Sequence, residues 1–324
     1  MKKIALALAV TAPFAVQAET IEIEKPEFYG KLNLTQEFVQ QQDAGNFSQL
    51  NSNASRLGLK GNVALENGLS VIYQAEVEVF ADNGSKTLSG KVDNAEEDKF
   101  NYKSTLTQRN TFAGVKGGFG TVQFGVFDTP FKLSQGKVDL FNDLQGDIKN
   151  VISASGENRK ENSVQYTSPS LAGVVVAVDH INSEDEETNN GVSASLAYTL
   201  NGLYLAYAYD TDVKAEGTDL GRVVAQYTLG AVQLGALWET QDVDGTDSVD
   251  GWMASAAYKL NGDVTLKAQY GASDIKKEGG VSYSLGADYK LAKTAKTFAY
   301  VTSEESDDES LNAQYYGLGL EVSF

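Results

Sequence analysis

The chain has 324 residues, with 44 acidic and 26 basic side chains, no cysteine and a single histidine. Its net charge of −18 disfavours binding to the phosphate backbone of nucleic acids. The absence of cysteine excludes disulfides and thiolate metal sites, and one histidine, His180, excludes a zinc site built on several histidines. We therefore predict no cofactor and no metal centre.

The first residues have the pattern of a secretory signal peptide. Two lysines precede an apolar stretch at residues 4–16, and Val16-Gln17-Ala18 supplies the small residues of a cleavage site. The alternative is a transmembrane anchor, but the stretch is shorter than the roughly 18 residues that span a bilayer. We predict a signal peptide at residues 1–18 and one mature domain at residues 19–324. That domain has 24 basic and 44 acidic residues, a charge of −20.

Apolar and polar side chains alternate with a period of two along nearly the whole mature chain. In the C-terminal segment, Tyr316, Leu318 and Leu320 alternate with Gly317 and Gly319. This period predicts strands with one apolar face and one polar or small face. No later segment approaches 18 consecutive apolar residues, so we expect no helical membrane span. A soluble β-sandwich or barrel would show the same alternation.

The connections between the predicted strands alternate strictly between short and long. Short turns such as Glu66-Asn67-Gly68 and Leu200-Asn201-Gly202 suit tight hairpins. The longer polar connections lie at residues 40–55, 81–105, 128–160, 182–190, 211–220, 241–250, 274–280 and 303–312. A transmembrane barrel has this asymmetry, with tight turns at the periplasmic rim and long loops at the outer rim.

The pattern predicts an all-β fold, a closed antiparallel transmembrane barrel of about 16 strands, each of roughly ten residues. The predicted strands begin near Phe28, Arg56, Leu69, Thr107, Thr121, Glu161, Gly173, Gly191, Leu203, Gly221, Val232, Gly251, Val264, Val281, Ala295 and Gln314. An even number places both termini at the same rim. Side chains cannot fill a barrel of this width, so its lumen should hold water.

Short motifs along the chain resemble those of the general-diffusion porins of Gram-negative outer membranes. They are Tyr29-Gly30-Lys31, Ser55-Arg56-Leu57-Gly58-Leu59-Lys60-Gly61, Gln108-Arg109-Asn110-Thr111-Phe112-Ala113-Gly114-Val115, Gly118-Phe119-Gly120-Thr121 and the terminal Phe324. The resemblance covers essentially the whole mature chain. It implies a homotrimer of 16-stranded barrels in the outer membrane, with the third outer loop folded into each lumen. The implied partners are outer-membrane lipids and lipopolysaccharide, small hydrophilic solutes, and the barrel-assembly machinery, which would read Phe324 as its assembly signal.

The resemblance also assigns four basic residues to the wall of a pore constriction: Lys31, Arg56, Arg109 and Arg159. Alternation agrees for Lys31 and Arg56, which fall opposite apolar rows and should therefore face the lumen. The alternative is that they are interfacial side chains that snorkel at the ends of strands.

Three acidic residues in the third long connection, Asp139, Asp143 and Asp147, are spaced four residues apart. A helical turn would place them along one face. The porin family that this chain resembles usually has an acidic constriction loop at this place. The Pro-Glu-Phe-Gly-Gly stretch typical of that loop is absent here, and Asp128-Thr129-Pro130-Phe131 opens the loop instead. The alternative is a solvated acidic outer loop. If the loop folds inward, acids face bases across the pore and the resulting field favours dipolar over apolar solutes.

These features predict a water-filled channel for passive diffusion of ions and small hydrophilic solutes. We expect mild cation preference, because the acidic chain should enrich cations near its mouths. The alternatives are a sugar-specific channel with an aromatic track, or a non-conducting adhesin or structural barrel. No enzyme is predicted, because the sequence has no nucleophile elbow and no phosphate loop, and a Ser-His pair would rest on His180 alone.

Overall fold

A computed structural model describes residues 25–91 and 99–324, so the predicted signal peptide, residues 1–18, lies outside the described residues. Two helices of one turn lie between residues 129 and 158: α1 (Pro130–Leu133) and α2 (Ile148–Val151). The strands in the described residues are β1 (Glu27–Gln41), β2 (Gly45–Ser52), β3 (Arg56–Ala64), β4 (Ser70–Val79), β5 (Lys86–Lys91), β6 (Lys99–Ser104), β7 (Leu106–Gly117), β8 (Gly120–Asp128), β9 (Arg159–Thr167), β10 (Val174–Ile181), β11 (Gly191–Leu200), β12 (Leu203–Thr211), β13 (Thr218–Leu229), β14 (Val232–Val243), β15 (Val249–Lys259), β16 (Val264–Ser273), β17 (Gly280–Ala292), β18 (Ala295–Glu305) and β19 (Ala313–Ser323).

The strands form a closed antiparallel barrel, because β19 pairs back with β1. β2 and β3 are two parts of one barrel strand, since both pair with β1 and only residues 53–55 separate them. β5 and β6 form a separate hairpin in the second outer loop. Within the described residues the barrel therefore has 16 strands, which confirms the predicted fold. All but one of the predicted strand starts lie within three residues of those in the structure.

The exception is the first long connection, where the prediction of a loop over residues 40–55 is wrong. The structure has a tight turn at residues 42–44 and continues as strand β2. Asp43 and Gly45 take the positive φ values of 46° and 80° that such a turn requires. Most of β2 is exposed on both faces, so no apolar alternation marks it as a strand in the sequence.

The short turns are confirmed where Asn-Gly pairs predict them. Asn201 and Gly202 have φ values of 49° and 85°, and Asn67 and Gly68 have 59° and 73°. Two consecutive positive φ values are what a type I′ hairpin turn needs, and its twist matches that of the strands. These turns lie at the same rim as both ends of the described chain, because β1 begins and β19 ends there.

Glycines on the polar face of β19 make room for aromatic rings inside the barrel. Leu318 points outward and is 64% exposed, as expected of a lipid-facing residue. A Cβ atom at Gly317 or Gly319 would collide with the rings of Tyr300 or Phe298 on β18. The small residues of the inner face therefore let large neighbouring side chains lie flat against the wall.

The hydrophobic core lies inside the barrel, between its wall and the third outer loop. We call this loop, residues 129–158, the inner loop. Its side chains and those of β12 to β18 supply most of the fully buried apolar residues. No helix in the described part of the chain is long and apolar enough to cross a membrane.

Candidate functional site: the constriction of the lumen

The inner loop begins with α1, which is capped by its own sequence. The Thr129 side chain accepts the backbone N–H of Lys132, and Pro130 occupies the first helical position, where its missing N–H costs nothing. After α1 the chain runs in turns to Asp147, whose side chain caps α2 by accepting the N–H of Lys149. Local capping thus defines both short helices of the loop.

Apolar packing holds the inner loop against one side of the wall. Val138, Ile148, Val151 and Ile152 of the loop pack on β12 to β15, and their buried wall partners are Ala206, Val224, Leu237 and Met253. A second cluster joins Phe141 and Leu144 to Phe298 and Tyr300. Full burial of each such side chain stabilises the docked loop by about 1.5–3 kcal/mol.

A buried arginine, Arg222 on β13, fixes the two ends of the loop to the wall. Its guanidinium is fully buried and donates to Glu239 on β14 at 2.6 and 2.9 Å. It also donates to Glu157 at the end of the loop and to the carbonyl of Phe131 in α1, at 3.0 and 3.2 Å. The Phe131 ring lies under the guanidinium, 4.4 Å from its centroid. Burial is tolerable because every side of this cation is paired.

Polar contacts fix the middle of the loop. Glu37 on β1 is buried, and its carboxylate accepts the hydroxyl of Tyr300 and the side-chain amide of Gln145 in the loop. On β16, the Gln269 side chain accepts the N–H of Leu140 and donates to the carbonyl of Gly146. The loop is therefore held across the lumen at several separate points.

The opposite side of the wall carries the predicted basic residues, and all four face the lumen. Arg56, Arg109 and Arg159 line an open cavity of about 780 Å³ between the wall and the loop. Lys31 reaches the loop itself, with its Nζ 2.9 Å from Oδ2 of Asp143. Of the predicted acids and bases, the structure thus brings Lys31 and Asp143 together, in direct contact rather than facing each other across an open lumen.

The three predicted loop acids do not share one face, because residues 139–147 form turns rather than a helix. Asp143 alone pairs with the basic wall. The Asp139 carboxylate accepts the N–H groups of Phe141 and Ile148 at 3.0 Å and does not line the cavity. Asp147 borders the cavity, but its oxygens accept the N–H groups of Asp143 and Lys149. Asp139 and Asp147 thus hold the loop together.

The pKa values of the loop acids shift in different directions because their charged neighbours differ. Burial alone would raise the pKa of Asp143, but the Lys31 ammonium overcomes this effect and holds that pKa below its usual value. Burial and the neighbouring Asp147 carboxylate raise the pKa of Asp139. Burial also raises the pKa of Glu157, and Arg222 offsets only part of that rise. Of these three acids, Asp143 is the one whose pKa the basic wall holds below its usual value.

Several partners of the basic residues were not predicted. Arg109 pairs with Glu76 and Glu78, with its Nε 2.6 Å from Glu76, and Arg159 pairs with Asp128 at 2.9 Å. Both glutamates fall on the inward row of β4, so alternation could have identified them. The same period marks Arg222 as an inward residue between Leu220 and Val224.

A closed barrel with an apolar outer surface and a charged lumen, narrowed by one loop, is the architecture of an outer-membrane channel. The model of the family described as Gram-negative porin matches residues 5–309. Among curated relatives, the major outer membrane protein P.IB of Neisseria meningitidis serogroup A is 26% identical over 295 residues, which cover 83% of each chain.

Solved structures share the fold. An anion-selective porin from Comamonas acidovorans superposes with a TM-score of 0.72 at 18% identity, over 93% of this chain and 99% of that one. OmpT of Vibrio cholerae in its trimer form gives 0.65 at 17% identity, over 93% and 99%. The chain belongs to the Gram-negative porin family. It is a diffusion channel of the outer membrane of a Gram-negative bacterium.

Proposed function

We propose that the channel passes ions and small hydrophilic solutes without catalysis, and that it prefers cations weakly at low salt. The supporting observation is the near balance of charge at the constriction. Six carboxylates line the cavity beside the inner loop, from Glu78, Asp82, Asp128, Asp143, Asp147 and Glu157. Five basic side chains line it too, from Arg56, Arg109, Lys132, Lys149 and Arg159. A balanced constriction leaves the acidic rims to bias permeation.

The outer rim supplies that bias. Its described loops carry exposed acidic clusters at residues 184–187 and 307–309. They raise the concentration of cations near the mouth, and the effect must fall with salt. The Debye length shortens from about 30 Å at 0.01 M to about 3 Å at 1 M. Cation preference should therefore be largest in dilute salt.

Reversal potentials in planar bilayers test both parts of the proposal. Asp143→Asn removes the loop charge that faces Lys31 and should shift selectivity toward anions, with most of the conductance kept. Asp139→Asn is the matched control, because Asp139 is bonded to the loop backbone, and it should leave the reversal potential unchanged. An anion-selective parent at 0.01 M salt would contradict the cation preference. If Asp143→Asn leaves the reversal potential unchanged, Asp143 does not contribute to selectivity at the constriction.

We also propose that the chain assembles as a homotrimer. The support is that a similar structure, OmpT, was solved in a trimer form, and that the second outer loop is long, spanning residues 80–105 between β4 and β7. This loop contains the β5–β6 hairpin, and residues 92–98 between the strands lie outside the described residues. Deleting residues 83–98 should loosen the trimer and leave the barrel folded. Trimer melting on unheated gels, unchanged by the deletion, would contradict the latching role.

Phe324 is proposed as the assembly signal read by the barrel-assembly machinery. Its backbone pairs with Gly30 in both directions, at 2.8 and 3.0 Å, where the barrel closes. Its ring covers Gly30 and remains 64% exposed. Deleting Phe324 should reduce insertion in cells far more than folding into detergent. Equal losses in both assays would indicate an ordinary residue of the membrane interface.

A further inference from the structure

The two mouths of the barrel differ in charge. At the outer rim, the charged side chains of three loops are all acidic: four in residues 182–190, two in residues 244–248 and three in residues 306–312. These acidic side chains are exposed. Fixed negative charge that faces water enriches cations and depletes anions nearby. The outer mouth therefore favours cations.

The periplasmic mouth has a basic cavity on the lumen side of the wall. The cavity has a volume of about 530 Å³, and the tight turns after β15 and β17 border it. Asp288 in its lining faces the lumen, because Lys267, which pairs with this carboxylate at 2.9 Å, also donates to the carbonyl of Leu140 in the inner loop. The lysines that line the cavity are Lys259, Lys290, Lys293 and Lys296. Ions that cross this mouth therefore pass a group of ammonium side chains.

Most of the negative charge in this cavity is already paired. Two of its three acidic side chains, Asp288 and Glu321, form ion pairs with lysines of the wall. The third is Asp263, in the turn after β15. The lining lysines that form no ion pair within the described residues are Lys259, Lys290 and Lys293. Unpaired positive charge thus exceeds unpaired negative charge here, and this mouth favours anions.

We propose that these unlike mouths make the channel rectify, so that it passes more current when the outer side is positive than when it is negative. The inference rests on the proposed function, because only a conducting pore can rectify. Between the mouths, the cavity at the constriction is lined by six acidic and five basic side chains. Because that charge is nearly balanced, the difference between the mouths determines the direction of easier flow.

The physical reason is the supply of ions at each mouth. With the outer side positive, the field drives cations in from the cation-rich outer mouth and anions in from the anion-rich periplasmic mouth. Both ions accumulate in the lumen, and the conductance rises. With the opposite polarity, each ion enters through the mouth that repels it, so the lumen is depleted and the conductance falls. Salt weakens the effect, because the Debye length shortens from about 30 Å at 0.01 M to about 3 Å at 1 M.

Single-channel currents in planar bilayers of neutral lipid, with the same salt on both sides, test the inference. Equal voltages of opposite sign should give currents that differ by about 1.5- to 3-fold at 0.01 M salt and become equal near 1 M. The substitution Thr246→Cys marks the outer side, because Thr246 is exposed in an outer loop and the chain has no other cysteine. A maleimide polymer too large to pass the constriction should change the current only from the chamber that the outer loops face.

Two variants that remove the same positive charge from opposite mouths separate an effect of the mouths from an effect of net charge. Lys259→Gln with Lys290→Gln removes unpaired lysines from the periplasmic mouth and should bring the ratio of the two currents closer to one. Lys214→Gln with Lys277→Gln is the matched control, because both lysines lie in outer loops. The control should leave the ratio unchanged or raise it.

The outcomes distinguish this inference from the proposed function. A channel that passes equal currents at both polarities in 0.01 M salt, where the Debye length is about 30 Å, overturns the inference but leaves passive diffusion standing. A larger current with the outer side negative overturns it in the same way. If the periplasmic variant and the control lower the ratio equally, the mouths do not cause the asymmetry. A protein that does not conduct at all overturns both.

Discussion

The inner wall of the barrel has two halves that share one strand pattern and differ in what covers them. Beneath the inner loop, the inward side chains include apolar ones, and the wall is buried: Ala206, Ala208, Leu220, Val224, Leu237 and Met253. On the bare half, the inward side chains that border the water-filled lumen are charged: Lys31, Glu78, Arg109, Asp128 and Arg159. The alternation of apolar and polar residues along each strand determines which face of the wall a side chain lies on. The inner loop determines whether the inward face is buried or in contact with water.

The largest effect should come from the anchor of the covered half. Arg222→Ala leaves Glu239 and Glu157 buried without a cation, and breaking a buried pair in this way costs about 3–5 kcal/mol. We expect a loss of that size in the free energy of unfolding, measured by urea denaturation in detergent. Arg222→Met combined with Glu239→Gln should recover most of it, because fewer charges are then unpaired. If Arg222→Ala has the same free energy of unfolding as the parent, Arg222 does not anchor the loop.

Substitution of two leucines on β14 allows the packing of the covered wall to be compared with that of the lipid-facing surface. Leu237 is 3% exposed beneath the loop, whereas Leu234 is 54% exposed on the outer face. Leu237→Ala should cost about 2–4 kcal/mol through lost contacts and a residual cavity. Leu234→Ala should cost less, because lipid or detergent chains refill the space. Equal losses in urea denaturation would mean that the loop does not pack on Leu237 in the membrane.

Much of the bare half could be predicted from the sequence. Lys31 and Arg56 lie opposite apolar rows, and a period of two shows their direction without knowledge of any contact. Family resemblance added Arg109 and Arg159, which line the same cavity as Arg56. The barrel itself followed from alternation and from the lengths of the connections. Strand β2 was not predicted, because both of its faces are exposed beyond the apolar belt.

The covered half could not be predicted in the same way. Its contacts join residues that are distant in sequence, such as Arg222 and Glu157, and no local period records them. Four-residue spacing suggested a helical face for Asp139, Asp143 and Asp147. Carboxylates compete for backbone N–H groups, however, and Asp139 and Asp147 instead bind the turns that replace that helix. Spacing is informative only where the local backbone is regular.

A smaller effect should follow from Glu157, whose raised pKa makes docking of the loop sensitive to pH. Its contribution is fully present below the usual pKa of a glutamate and is lost as the pH rises through the raised value. Glu157→Gln mimics the protonated acid, so docking should depend less on pH, with the contribution of Asp139 remaining, and should change by about 1 kcal/mol. Hydrogen exchange of the α1 amides at pH 5 and pH 8, corrected for intrinsic rates, measures this. If Glu157→Gln keeps the pH dependence of the parent, that dependence comes from another group.

The smallest effect on stability, and a clear effect on permeation, should come from Arg56 on the bare half. Among the described residues Arg56 has no carboxylate within ion-pair distance, although it lines the cavity beside the inner loop. Arg56→Ser should therefore change the free energy of unfolding by no more than about 0.5 kcal/mol. It removes one positive charge from a nearly balanced constriction and shortens the side chain there. Cation preference and conductance should both rise, most clearly near 0.01 M salt, where the Debye length is about 30 Å and screening is weak. Arg222→Ala is the opposite case, with a large change in stability and no direct loss of a lumen charge. If Arg56→Ser destabilised the protein as much as Arg222→Ala does, the bare half would be as tightly packed as the covered one.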